Sequence, residues 1–206
     1  GTTAIVADYW RGVSRLDVSN PSVPAERGFF DVDTEAGEQV IQVQAANGRA
    51  YAGTNPGGLR ILDAASPTGL TQMGTYTQTG NVFAVDVVGD AAFVVDYWQG
   101  LVTVDVSTPS APAFVGAYDK LNLSNVAVAG GKAYVTDLIT GLSVVDVSDP
   151  AAPVELGTYY NGYLCDAEGV DVAGDVAYVA EVCGARGSLR LVDVSNPVTP
   201  TELSHV

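Results

Sequence analysis

"AYVTDLITGLSVVDVSDPAAPVELGTY" (residues 133–159) holds three strand-like runs in one short segment. "AYVTD", "GLSVVDVS" and "PVELGTY" each alternate apolar with small or polar residues and are rich in Val, Tyr and Thr, the signature of half-buried β-strands. Gly141 marks the turn between the first two. The Asp149-Pro150 pair breaks the second, because proline donates nothing to a ladder and pushes its predecessor away from helix.

The same core returns four more times. "RLDVSNP", "ILDAASP", "TVDVSTP", "VVDVSDP" and "LVDVSNP" align on Asp17, Asp63, Asp105, Asp146 and Asp193, with steps of 46, 42, 41 and 47 residues. A period of this length with β-branched composition predicts a four-stranded propeller blade rather than a helical repeat. The missing strand of each unit lies upstream, as in "VFAVDVVGD" (82–90) and "EGVDVAGD" (168–175). No segment reads as a helix.

The pattern resembles the LVIVD repeat, carried by 133–159 and its four relatives. The resemblance covers essentially the whole chain. It implies a β-propeller of bacterial or archaeal secreted or cell-surface type, and it brings no catalytic residues to carry over. Repeat two departs from the pattern, with "LDAASPTGL" where Asp-Val-Ser is usual. We therefore expect an all-β, single-domain propeller with five four-stranded blades, the repeats being 1–48, 49–90, 91–131, 132–175 and 176–206. The chain opens in a second-type strand, "TAIVAD", so nineteen strands are expected and the first blade lacks its innermost one.

Composition bounds the function. The 206 residues are 47% hydrophobic and 16% charged, enough to bury a core. The apolar runs are strand-sized, so no membrane insertion is expected. Twenty-four acidic residues against nine basic ones give a net charge of −15, which argues against nucleic acid as a partner. The chain begins at Gly1 rather than Met, and a removed leader or tag, or a longer parent chain, is expected.

Blade topology sorts the loops by end. The loop entering the first strand and the turn joining strands two and three share one end, the top, where the repeats differ in length: 30–39, 159–169 and 181–188. Two of these insertions carry the two cysteines, Cys165 and Cys183. A disulfide between them would be worth roughly 3 kcal/mol in the chain-entropy model and would place the protein in an oxidising compartment, extracellular or at the cell surface; two free thiols are the alternative. Spacing and number fit no zinc pattern, and the single histidine, His205, reads as structural or incidental.

The ends of the second strands carry Asp8, Thr54, Asp96, Asp137 and Glu181. They read either as a rim for a cation or polar ligand or as acceptors for their own turns. The periodic Asp of "VDVS" reads as a structural acceptor. The irregular cluster "DVDTEAGE" offers Asp31, Asp33, Glu35 and Glu38 as oxygen ligands for calcium, with a solvated loop as the alternative. "DYW" occurs twice, and Tyr9, Trp10, Tyr97 and Trp98 present flat surfaces that suit a sugar ring or a partner side chain.

The leading expectation is a binding or structural module whose partner is a surface protein or a glycan. A carbohydrate-active hydrolase or lyase using Asp8, Asp96, Asp137, Asp166, Glu168 or Glu181 is a second reading. A subunit joined to its neighbours by strand addition at the short first blade is a third.

Overall fold

A computed structural model describes residues 2–32, 36–66, 69–160, 162 and 165–206. Every regular element among them is a β-strand, and the nineteen strands form five antiparallel sheets. Blade one has three strands: β1 (Thr3–Asp8), β2 (Gly12–Asp17) and β3 (Ala25–Phe30). Blade two is β4 (Gln39–Ala46), β5 (Arg49–Asn55), β6 (Gly58–Asp63) and β7 (Thr71–Tyr76). Blade three is β8 (Val82–Val88), β9 (Ala91–Asp96), β10 (Gly100–Asp105) and β11 (Ala113–Tyr118). Blade four is β12 (Leu123–Ala129), β13 (Lys132–Asp137), β14 (Gly141–Asp146) and β15 (Val154–Tyr160). Blade five is β16 (Asp166–Ala173), β17 (Val176–Cys183), β18 (Arg186–Asp193) and β19 (Thr201–His205). This is the five-bladed propeller class with the deficient first blade that the repeat arithmetic predicts.

The chain divides into two compact units, residues 1–94 with 104–114, and residues 95–103 with 115–206. In the first, Ile5, Ala7, Val13 and Phe30 of blade one pack on Val40, Ala50, Ala52 and Leu62 of blade two. In the second, Tyr134, Leu142 and Val144 of blade four pack on Ala167, Ala177, Val179 and Val192 of blade five. In both, one face of a blade packs on the facing side of the next. Burying each Leu or Val fully is worth about 1.5–3 kcal/mol, so these faces carry the stability. Tyr51 and Tyr134, which share one repeat position, are buried packing residues, but Tyr178 at the same position is 36% exposed.

The lower end of each blade is built alike. The five repeat aspartates each accept a backbone N–H two residues on: Ser19 to Asp17, Ala65 to Asp63, Ser107 to Asp105, Ser148 to Asp146 and Ser195 to Asp193, all at 2.8–2.9 Å. The side chain thus replaces a turn bond at the point where the strand must stop before proline. These bonds hold the carboxyls of Asp17, Asp105, Asp146 and Asp193 below the usual range, the Ser backbone or hydroxyl being the first cause in each. The structural reading of this aspartate is correct in every blade.

Candidate functional site

The top end is where the blades diverge. In blade one, β1 and β2 pair from Thr3↔Asp17 to Asp8↔Gly12, leaving Tyr9, Trp10 and Arg11 in the turn. Arg11 N donates to Asp8 O at 2.6 Å and closes it. Gly12 follows with φ 118°, a left-handed conformation that L side chains rarely adopt, and an added Cβ there would overlap the Phe30 carbonyl. The final Gly of "DYWRG" is therefore backbone geometry, and the same need recurs at Gly100.

Within these turns the aromatic rings point outward. Trp10 is 58% exposed and Trp98 65%. Each indole stands nearly perpendicular to its neighbouring tyrosine, Tyr9–Trp10 with centroids at 5.2 Å and Tyr97–Trp98 at 4.7 Å. Edge-to-face pairing of this kind stabilises aromatic pairs by roughly 0.5–1.5 kcal/mol and fixes the ring orientation. Blade four has Leu138 and Ile139 at this place, with Ile139 also exposed.

The carboxylates divide into separate roles. Asp96 is buried and its Oδ1 accepts the N–H groups of Trp98 and Gln99, both at 2.9 Å. Asp137 is also buried; Oδ1 accepts from Ile139 at 2.6 Å and Thr140 at 2.9 Å, and Oδ2 lies 3.6 Å from Lys120 Nζ. These two hold their own turns. Asp8, by contrast, is exposed, as are Asp166 and Glu168. Thr54 is buried and donates to Gly58 O at 3.0 Å.

Glu181 is buried and anchors an ion cluster that runs out to the surface. Arg190 Nε reaches both of its oxygens at 3.0 Å, and the same guanidinium pairs with Glu202 on β19. Tyr159 of blade four donates to Glu202 at 2.6 Å. That hydroxyl first, then His205 and Arg190, pulls the Glu202 carboxyl down to about 2. His205, read as structural or incidental, has Glu202 as a partner at 2.7 Å, in line with the structural alternative.

Equivalent clusters recur with different residues. Arg60 clamps Glu38 through two bonds and adds Gln72 at 2.8 Å in blade two. Lys120 donates to Ser143 at 2.7 Å and lies 3.8 Å from Glu155 in blade four, where Tyr118 donates to Glu155. Burial, then Glu155, raises the Tyr118 hydroxyl. Of the four acidic residues expected to hold calcium, Glu38 is thus buried against a guanidinium and Asp31 is exposed. Asp33 and Glu35 lie outside the described residues.

Cys165 and Cys183 form a disulfide, as the spacing led us to expect. The ladder explains it: Asp166 pairs with Val182, so the next opposed pair is Cys165 and Cys183, with Cα atoms 4.3 Å apart. That matches the close, non-hydrogen-bonded pairing of antiparallel strands. Glu181 is nearby, but both sulfurs are spent in the bond and its carboxylate on Arg190. The segment 181–188 was expected to be an enlarged loop. Instead β17 and β18 continue in register to Cys183↔Arg186, so the insertion lengthens a hairpin.

Comparison with known proteins decides the family. The LVIVD repeat matches residues 1–32, 79–120, 122–161 and 165–206, one match for each of blades one, three, four and five. The chain belongs to the LVIVD-repeat family. The unmatched stretch contains blade two, whose "LDAASPTGL" lacks the LVIVD consensus at the turn. No curated protein matches the chain. Among solved structures, a functionally unknown protein from Desulfotomaculum acetoxidans superposes with a TM-score of 0.77 at 10% identity. The match covers 99% of this chain and 66% of that one. The computationally designed Ika8 protein gives 0.70 at 8% identity, covering 100% of this chain and 58% of that one. The chain thus spans about three-fifths to two-thirds of these structures, and at such identity the likeness shows the fold alone. The Tyr-Trp turns of this LVIVD chain are not required by its fold, since blades two, four and five do without them.

Proposed function

We propose that the protein is an extracellular or cell-surface binding module, and that the Tyr9–Trp10 and Tyr97–Trp98 turns are each a stacking surface for a sugar ring of a neutral glycan. The observation that carries this reading is the exposure of both indoles in rigid turns, each braced edge-on by a tyrosine. An open aromatic face with polar backbone beside it suits a sugar ring, whose apolar C–H face stacks while its hydroxyls bond outward. Pre-organised aromatics lose little entropy on binding. The net charge of −15 favours a neutral glycan over an acidic one. The disulfide supports an oxidising compartment.

The test is a glycan array followed by equilibrium binding on the parent and on Trp10→Ala/Trp98→Ala. Loss of at least about tenfold in affinity, the effect expected of a binding hot spot, is predicted. Equal affinity of the two proteins for every array hit would sink the reading.

A further inference from the structure

Blade five brings three metal-type donors to one spot. Asp166 pairs with Val182 across β16 and β17, so Cys165 stands opposite Cys183. Glu181 lies two residues before Cys183 on β17, and residues two apart in a strand share a face. The two sulfurs and a carboxylate oxygen of Glu181 therefore fall within 4.8 Å of one another. Donors around a tetrahedral zinc stand roughly 3–4 Å apart, given bonds of about 2.0–2.3 Å, so the set needs only a small contraction. Cys165 and Glu181 are buried, at 8% and 3% exposure, and Cys183 is half-buried. The acids at the equivalent position of the other blades, Asp8, Asp96 and Asp137, have no cysteine beside them, because the chain has only these two.

The ladder keeps this arrangement without the sulfur–sulfur bond. On one side β16 and β17 pair from Asp166↔Val182 to Ala173↔Val176. On the other, β17 and β18 pair as far as Cys183↔Arg186. Opening the disulfide thus leaves Glu181 and Cys183 fastened by β18, and Cys165 one residue beyond a paired Asp166. The charges also suit a divalent cation. Two thiolates and a carboxylate carry three negative charges, and a dication with the Arg190 guanidinium, 3.0 Å from Glu181, cancels them. Two thiolates select a thiophilic metal over calcium or magnesium.

We infer that Cys165, Cys183 and Glu181 form a redox-gated site for zinc or a similar thiophilic dication, and that the disulfide is its closed state. The thiolate, not the disulfide, is the ligand. A dithiol reductant opens the site. One of its thiolates attacks the half-buried Cys183 sulfur, the S–S bond breaks, and Cys165 leaves as a thiolate. The second thiol of the reductant displaces Cys183 and closes into the reductant's own disulfide. Two electrons have then entered, and the two protons of the dithiol rest on the two cysteines. The metal binds both sulfurs and releases those protons. Three protein ligands leave the fourth position to water. The donors come from two opposed strands and one of them is a carboxylate, so no local cysteine spacing announces the site.

The test uses the chain reduced with a phosphine under argon and titrated with cobalt(II), the spectroscopic stand-in for zinc. A thiolate-to-cobalt charge-transfer band is expected, saturating at one cobalt per chain and bleached by zinc. Zinc should also raise the melting temperature of the reduced chain, while the oxidised parent shows neither response. Cys165→Ser should abolish the band. Glu181→Gln should keep a band but weaken zinc binding by about tenfold or more, since even an outer partner of a metal ligand commonly contributes that much. If circular dichroism shows Glu181→Gln unfolded, Glu181→Asp takes its place, keeping a charge for Arg190 while withdrawing the carboxylate. A reduced parent without the band, zinc affinity unchanged by the Glu181 substitution, or a reduced chain that folds neither with nor without zinc overturns the inference.

Discussion

The two ends of each blade follow different rules. At the lower end, five aspartates make the same backbone bond in five blades. At the upper end, the residues at one equivalent position are an exposed Asp8, a buried Thr54, turn-holding Asp96 and Asp137, and an ion-paired Glu181. Recurrence with identical bonding is the mark of a scaffold, since every blade needs the same turn. Variation on a fixed frame leaves room for a site, and the Tyr-Trp turns fall there.

Several substitutions sharpen this contrast. The largest effect belongs to the buried pairs of the upper half. Arg60→Ala leaves Glu38 buried without its cation and should cost about 3–5 kcal/mol, measured by urea denaturation. A loss below about 1 kcal/mol would mean that water reaches Glu38 freely. Next, replacing both Cys165 and Cys183 with Ser should remove roughly 3 kcal/mol of chain-entropy stabilisation, and adding reductant to the parent should reproduce the loss. Third, Asp146→Ala removes a charged acceptor from its turn and should lower the urea midpoint measurably, while Asp8→Ala should leave it unchanged. Equal costs for these two would erase the distinction between the ends.

The pH response separates them further. Asp17, Asp105, Asp146 and Asp193 have carboxyls lowered in the folded state, so their contribution is complete above the ordinary aspartate range. It fades as pH drops below about 4, because the unfolded chain takes up protons first. Glu202, lowered to about 2, loses its share progressively as the pH falls from the ordinary glutamate range towards that value. Thermal melts in this acid window should therefore fall, with a smaller slope for Asp146→Asn, which keeps an acceptor but no charge.

Much of this was legible in the sequence. The fold followed from strand alternation, a steady period and Pro breaks, all of which are local. Counting from "TAIVAD" also gave the three-stranded first blade. The disulfide was readable because two cysteines flank adjacent strands of one blade. The ion clusters were not: Arg190, Glu202 and Tyr159 come from three strands of two blades, and only register brings them together. The lengthened hairpin was misread because Gly184 and Gly187 look like loop residues, whereas Gly187 pairs with Val182 in the ladder. The exposure of Tyr178 was hidden for another reason. Tyr178 occupies the same repeat position as Tyr51 and Tyr134, and sequence alone assigns all three the same burial.

The most direct measurement uses an accident of composition. The chain has two tryptophans, and they are Trp10 and Trp98, so all of its indole emission comes from the candidate turns. Titration with a panel of neutral oligosaccharides, excited at the red edge where tyrosine is silent, should give a saturable emission change with at least one of them. That change should vanish for an acidic analogue of the same sugar at low salt. Flat emission across the panel, beside a glycan-array hit that binds with unchanged affinity after both tryptophans are replaced, would contradict the account.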